Sequence, residues 1–191
     1  VCHYKDSRYA LFNLEGITDV TITDNGSYPW QMLDLGADGM SAVSSYFTEG
    51  STGLMSSNYG VNNSKSEIEV KFNVVKPILF SFKYLISAIS SYYVSITLNG
   101  KPLDEIRGTE QKVYKSILNK GEYTLTLSYN TPNFGDGNEG ADRAFIYDLK
   151  APTTISDYVA EYDATNTTLT FKKFTSDNLE SIDLGRLVIV N

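Results

Sequence analysis

The sequence predicts an all-β protein built as an antiparallel β-sandwich, and three observations support this prediction. Apolar and polar residues alternate with a period of two along several short stretches, which is the pattern of strands with one buried face. These stretches are rich in β-branched and aromatic residues. Turn residues separate them at regular intervals, and apolar residues do not recur at the three- and four-residue spacing of a helix. Many short strands of this kind indicate a sandwich or barrel.

Residues 66–100 hold the three clearest strands. The first alternates apolar residues with charged ones, and Pro77 ends it because proline has no N–H to donate. The second has its own apolar row but also carries Leu79 and Leu85 on the opposite face, so we expect a central strand covered on both sides. The third ends at Asn99-Gly100, a pair that adopts the positive φ angles of a tight hairpin turn.

The flanking segments extend the same pattern. Residues 9–14 and 40–47 are predicted strands, whereas residues 48–65 are rich in Ser, Gly and Asn and are predicted to form a loop. Further strands follow Gly100, with a long glycine-rich loop over residues 131–142. We predict that residues 1–152 form the sandwich. Residues 153–191 are predicted to be a small C-terminal β-hairpin extension or the start of a following module.

Composition narrows the function. The 191 residues include 16 basic and 23 acidic ones, and the net charge of −7 argues against a nucleic-acid partner. A single histidine leaves few options for acid–base catalysis near neutral pH. The one cysteine, Cys2, excludes an internal disulfide; it is either a lipoprotein acylation site or an ordinary cysteine. No apolar run is long enough to span a membrane, and the start without Met or a basic leader suggests an excised or processed piece.

Residues 25–152 contain an ordered series of motifs: SSNYGVNNSKSEIEV, FSFKYLIS, YVSITLNG, NKGEYTLTLSY and ADRAFIYDL. This series resembles the MAM-like or concanavalin-like jelly-roll modules of bacterial secreted and surface proteins. The resemblance implies a jelly-roll-type β-sandwich at the bacterial cell surface or outside the cell. The chain departs from the pattern at one point, because Tyr147 follows Ile146 and Asp148 comes one place later than the usual acid.

The glycine-rich loop is a candidate Ca²⁺ site. Hard oxygen ligands on a flexible backbone suit Ca²⁺, and jelly-roll modules of this kind often hold a structural ion. The spacing differs from the twelve-residue helix–loop–helix pattern, and the alternative is a solvated loop in which Gly and Asn provide turn geometry. The candidate ligands are Asp136, Asn138, Glu139 and Asp142.

Aromatic side chains in loops are candidate sugar-binding residues, because a sugar ring offers apolar C–H faces together with hydroxyl groups. Tyr59 beside Asn62, and Phe134 in the glycine-rich loop, supply both kinds of contact. Trp30 belongs to the same candidate set, although we favour a core position for it.

Three functions remain open at this stage. We expect a non-catalytic, carbohydrate-binding module of a secreted or cell-surface protein. The alternative is a structural or adhesion domain that contacts another surface protein. A glycoside hydrolase is a minority alternative, because the acids fall mostly on outward strand positions or in turns and no pair is predicted to share a concave face.

Overall fold

A computed structural model describes residues 6–87, 93–107, 109–131, 143–152, 158–163, 165–174 and 179–182. Two 3₁₀-helices, Ser7–Phe12 and Ser44–Tyr46, accompany the strands. In chain order, the strands are β1 (Ile17–Asp24), β2 (Gln31–Met32), β3 (Gly53–Met55), β4 (Ser64–Val74), β5 (Ile78–Ser87), β6 (Tyr93–Leu98), β7 (Lys101–Arg107), β8 (Glu110–Leu118), β9 (Gly121–Thr131), β10 (Arg143–Lys150), β11 (Tyr158–Asp163), β12 (Thr168–Phe174) and β13 (Leu179–Ile182).

The sandwich consists of two five-stranded antiparallel sheets. The first sheet has the order β1-β4-β9-β6-β7 and the second the order β2-β3-β10-β5-β8. The fold is therefore a jelly-roll-type β-sandwich, as the sequence predicts. The turn between β6 and β7 has φ values of 51° at Asn99 and 73° at Gly100, which confirms the predicted hairpin.

The main core lies between the two sheets. Strands β4 and β9 pair along their whole length and turn alternate residues inward, so Ile68 lies opposite Leu127 and Val70 opposite Leu125. From the second sheet, β5 contributes buried Phe80 and Phe82 to the same cluster. Charged and hydroxyl side chains occupy the other face of β4 and β9, which explains the clear alternation in the sequence.

A second apolar layer covers the outer face of the second sheet. Leu85 of β5 and Phe145 and Tyr147 of β10 point outward, away from the main core, yet all are fully buried. The segment between β2 and β3 packs over them with Met40, Val43 and Phe47. The expectation that β5 is a central strand covered on both faces is therefore confirmed at Leu85, between β10 and β8.

Two predicted strands are corrected by the structure. Residues 9–14 fall largely in the 3₁₀-helix Ser7–Phe12, where the adjacent residues Leu11 and Phe12 are both buried; neighbours on a strand would point to opposite faces. Residues 40–47 form turns and the 3₁₀-helix Ser44–Tyr46. Here the buried residues Met40, Val43 and Phe47 recur at three- and four-residue spacing, so one face of a turn-rich segment packs onto the sheet.

The C-terminal residues form a third sheet, of order β11-β12-β13. A hairpin was the expectation here, and the described part of the chain adds a third strand, β13, which pairs antiparallel with β12. The predicted boundary after residue 152 stays a prediction.

Candidate functional site

Trp30 lies in the main core. Its side chain is 1% exposed, and its indole N–H donates to the backbone oxygen of Ser66 at 3.0 Å. The ring therefore has no face to offer a sugar, and packing accounts for this residue. Its backbone is nevertheless important for a neighbouring site, because the Trp30 carbonyl accepts a hydrogen bond from Arg8 at 2.7 Å.

Arg8 is the centre of a charged cluster beside β2, which we call the Arg8 clamp (Asp6, Arg8, Asp24 and Trp30). Its guanidinium donates to both carboxylate oxygens of Asp6 and, through Nη1, to Asp24 Oδ1 at 2.8 Å. The backbone N–H of Trp30 also donates to Asp24. The hydrogen bond from Arg8 holds the pKa of Asp6 below its usual value, and the same bonds raise the pKa of Arg8.

An open groove of about 720 Å³ runs beside the clamp and along β2; we call it the β2 groove. Its polar lining combines acceptors and donors: the carboxylates of Asp6, Asp24 and Asp34, the amide of Gln31 and the guanidinium of Arg8. Its apolar lining comes from Met32, Leu33, Met55 and Pro29, and Trp30 also borders it. The groove can thus offer hydrogen bonds and apolar contacts to one ligand.

A smaller cavity of about 420 Å³ lies between the first 3₁₀-helix and β1. Tyr9, Asn13 and Asp19 contribute to its wall. Asp19 has a φ of 54° at an irregularity in β1, and Asn73 donates to its carboxylate at 3.0 Å. The Tyr9 hydroxyl accepts the backbone N–H of Ile22, so this part of the wall also satisfies the edge of the first sheet.

The predicted site residues Tyr59 and Asn62 lie in the loop between β3 and β4. Asn62 is exposed and Tyr59 is half-buried. Thr131, at the end of β9, fixes the loop by donating to the carbonyl of Val61 at 2.7 Å. At the start of β10, Ala144 exchanges two hydrogen bonds with Ser56. The loop is therefore attached to both strands that flank residues 132–142.

The Tyr59 ring lies close to both Gly39 and Arg143. The Arg143 guanidinium carbon lies 4.9 Å from the ring centroid, a cation–π contact. A Cβ atom at Gly39 would come within 2.6 Å of Tyr59 Cε2, so only glycine allows this approach, and its φ of 83° also favours glycine. The Arg143 contact therefore occupies one face of the ring.

Arg143 itself is largely buried, with 7% of its surface exposed. Its Nε donates to the Asp38 carbonyl at 2.8 Å and its Nη1 to the Ser56 carbonyl at 2.9 Å. Burial lowers the pKa of Arg143, and the Tyr59, Asp38 and Asp34 side chains raise it by less. This cation is thus buried mainly against neutral acceptors.

The remaining predicted site residues lie outside the described residues. They are Phe134 and the candidate calcium ligands Asp136, Asn138, Glu139 and Asp142. Within the described ranges, no group of three or more His, Cys, Asp or Glu residues could hold a metal ion. The calcium site stays a prediction.

Arg8, Asp24, Asp34 and Arg143 are the functional candidates that the sequence analysis missed. One signal was available for Arg143: it occupies the same strand face as Phe145 and Tyr147, so it falls on a buried row of β10. Asp148, which departs from the resemblance, adopts a φ of 54° at an irregularity of β10 and pairs with Lys83 at 3.2 Å.

No family model matches the chain, and no curated protein matches it in sequence. Among solved structures, TmCBM61 in complex with β-1,4-galactotriose is 13% identical with a TM-score of 0.38, over 78% of this chain and 97% of that one. A family 35 carbohydrate-binding module from Clostridium thermocellum is 15% identical with a TM-score of 0.34, over 71% and 93%. The secreted serine protease VesC from Vibrio cholerae is 14% identical with a TM-score of 0.41, over 52% of this chain and 21% of that one. Similarity this low leaves the site to be argued from the residues of this chain.

Within the described residues, no helix has the length and apolar character needed to span a membrane.

Proposed function

We propose that this chain is a non-catalytic carbohydrate-binding module whose ligand lies in the β2 groove. The observation that carries the proposal is the lining of the groove, where three carboxylates, a guanidinium and an amide stand beside apolar side chains. Sugar hydroxyls donate to carboxylates and accept from guanidinium groups, while the C–H faces of a sugar contact apolar atoms. Because the groove is open, it can accommodate a chain of sugar units rather than a single enclosed one.

The carboxylates of the clamp suit binding better than hydrolysis. A glycosidase needs a carboxylic acid with a raised pKa that can give its proton to the leaving group. Arg8 instead lowers the pKa of Asp6 and donates to Asp24 at 2.8 Å, so both groups serve as fixed acceptors. This supports a binding role for the groove.

The biological setting is part of the same proposal. The resemblance of residues 25–152 to modules of bacterial secreted and surface proteins suggests a place on the cell surface or outside the cell, with a structural Ca²⁺ ion in the loop from Asp136 to Asp142. An adhesion domain that binds another surface protein is the alternative against which the proposal is tested.

The test is a glycan array followed by titration calorimetry on the strongest binder. Gln31→Ala and Asp34→Ala should each weaken binding by about twofold to tenfold, the value of one lost hydrogen bond. Glu122→Ala is the matched control, because Glu122 is an exposed acid at the start of β9 in the other sheet. A folded protein that binds no glycan, or groove variants that bind like the control, would refute the proposal and favour the adhesion domain.

A further inference from the structure

Arg143 begins β10, and the described groups that contact its guanidinium directly are uncharged. Two of its donors bind the backbone carbonyls of Asp38 and Ser56, and the Tyr59 ring covers the guanidinium. Among the described residues, no carboxylate comes within the 4.0 Å of an ion pair with Arg143. A buried charge without a partner is costly, because desolvation is not repaid by attraction.

Within the described part of the chain, Arg143 also uses only part of its hydrogen-bonding capacity. A guanidinium carries five N–H donors in a planar fork, and the Nη2 group donates to no residue that the structure describes. A planar fork of this kind matches a carboxylate or sulfate, which can accept two parallel hydrogen bonds. The residue keeps 7% of its surface exposed.

The surrounding contacts hold the guanidinium in a fixed orientation. The Tyr59 ring centroid lies 4.9 Å from the guanidinium carbon, and Gly39 approaches the same ring closely. Orientation fixed before binding reduces the entropy that a ligand must lose, so a charged group meeting this arginine needs little further ordering of the protein.

Arg143 is close to the β2 groove. Met55 lines the groove, and the next residue, Ser56, accepts a hydrogen bond from Arg143. Asp34 also lines the groove and is close enough to Arg143 to influence its pKa, as is Asp38. The negative charges of Asp34 and Asp38 repel an anion near this place. An anionic group therefore gains binding free energy here only if it contacts the guanidinium of Arg143 directly.

We propose that Arg143 binds the acidic substituent, a carboxylate or a sulfate ester, of a glycan that occupies the β2 groove. This inference rests on the proposed carbohydrate binding and adds the chemical class of the ligand. It makes the preferred ligand an acidic polysaccharide, such as one that contains uronic acid units or sulfated sugars, rather than a neutral one.

The test compares matched oligosaccharides by titration calorimetry at constant ionic strength. One set has a galactose backbone, the second the corresponding galacturonate backbone, and the third a sulfated galactose backbone. We expect the wild-type protein to bind at least one acidic set about tenfold or more tightly than the neutral set, the gain typical of a charge-assisted hydrogen bond. The two acidic sets distinguish a carboxylate from a sulfate ester.

Two variants assign the effect to Arg143. Arg143→Met should reduce acidic binding to the level of the neutral set and leave neutral binding unchanged, while Arg143→Lys should keep part of the preference because it keeps the charge but loses the fork. Melting curves confirm that both variants fold. Equal binding of neutral and acidic sets by the wild type would overturn this inference alone, and so would a preference that survives in Arg143→Met. Loss of neutral binding in that variant would mean that Arg143 only supports the loop. No binding of any set would overturn the proposed function together with the inference.

Discussion

Arg8 and Arg143 are both largely buried, yet their surroundings differ in kind. Arg8 is bound by two carboxylates and a carbonyl, and its pKa is raised. Arg143 is bound by two carbonyls and an aromatic ring, and burial lowers its pKa. The protein therefore supplies a counter-charge to one of these cations, whereas no described residue pairs with the other.

The difference separates a cation whose charge is compensated within the fold from one that no described carboxylate compensates. The Arg8 clamp joins the first 3₁₀-helix to the end of β1 and to the chain entering β2, so its charges stabilise the fold around the groove. Arg143 joins the chain after β2 to the start of β10 through hydrogen bonds to two backbone carbonyls. Its Nη2 group donates to no described residue. Replacing a group that stabilises the fold should lower the free energy of unfolding. Replacing a group that binds a ligand should weaken binding in a titration.

We expect the largest loss of stability when Trp30, the core residue of the Arg8 clamp, is replaced. Trp30→Ala removes a fully buried indole and its hydrogen bond to Ser66, so we expect a loss of about 3–5 kcal/mol in the free energy of unfolding. Trp30→Phe is the matched control and should lose clearly less, because it keeps most of the packing. Urea denaturation measures both. A stable Trp30→Ala variant that had lost only ligand binding would show that the ring contacts the ligand.

Replacing each arginine by methionine compares the two cations directly. Arg8→Met leaves Asp6 and Asp24 partly buried without their partner, and we expect it to destabilise the fold by about 2–4 kcal/mol. Arg143→Met removes a desolvated charge but leaves the carbonyl groups of Asp38 and Ser56 without this donor, so we expect a smaller cost of about 1–2 kcal/mol. Equal costs, measured as denaturation midpoints with unchanged slopes, would contradict the distinction.

The predicted Ca²⁺ site in the segment before Arg143 can be tested by removing calcium. If residues Asp136 to Asp142 hold a Ca²⁺ ion at about a hundred times its dissociation constant, a chelator should lower the melting temperature by about 5–10 °C. The double variant Asp136→Asn with Glu139→Gln should have a lower melting temperature than the wild type without chelator, and the chelator should change that temperature little. An unchanged wild-type melting temperature would count against the ion.

The smallest expected effect is the loss of stability at acid pH that Asp6 contributes. Because the pKa of Asp6 is lowered below 3.8 in the folded state, the unfolded chain binds a proton first, and stability falls as pH drops through the folded pKa. Asp6 is 35% exposed, so solvent screening limits its contribution to about 1 kcal/mol or less. Denaturation midpoints between about pH 5 and pH 2 should fall further in the wild type than in Arg8→Met. If the wild type and Arg8→Met lost stability identically with falling pH, the Arg8 clamp would not be the cause of that loss.

The sequence predicts the sandwich well and the site poorly, for a physical reason. Alternation in β4 and the turn at Asn99-Gly100 are local properties, so they can be read from neighbouring residues. The site depends on contacts between distant parts of the chain: Arg143 meets Asp38 across 105 positions and Ser56 across 87. Local composition draws attention to Tyr59, but it cannot reveal that Gly39 and Arg143 approach the ring. The predicted strand at residues 40–47 is wrong because the apolar residues of this turn-rich segment pack on the second sheet, a contact between distant parts of the chain.

The most direct test of the account is a nuclear magnetic resonance titration of the isotope-labelled protein with the tightest-binding oligosaccharide from the array. We predict that backbone amide shifts will concentrate around the β2 groove, at residues 24–34 and 53–59, and will include the amides next to Arg143 when the ligand is acidic. Shifts confined to the outward face of β4 and β9, where Thr126 and Glu69 lie opposite each other, would contradict it and place binding on the other sheet.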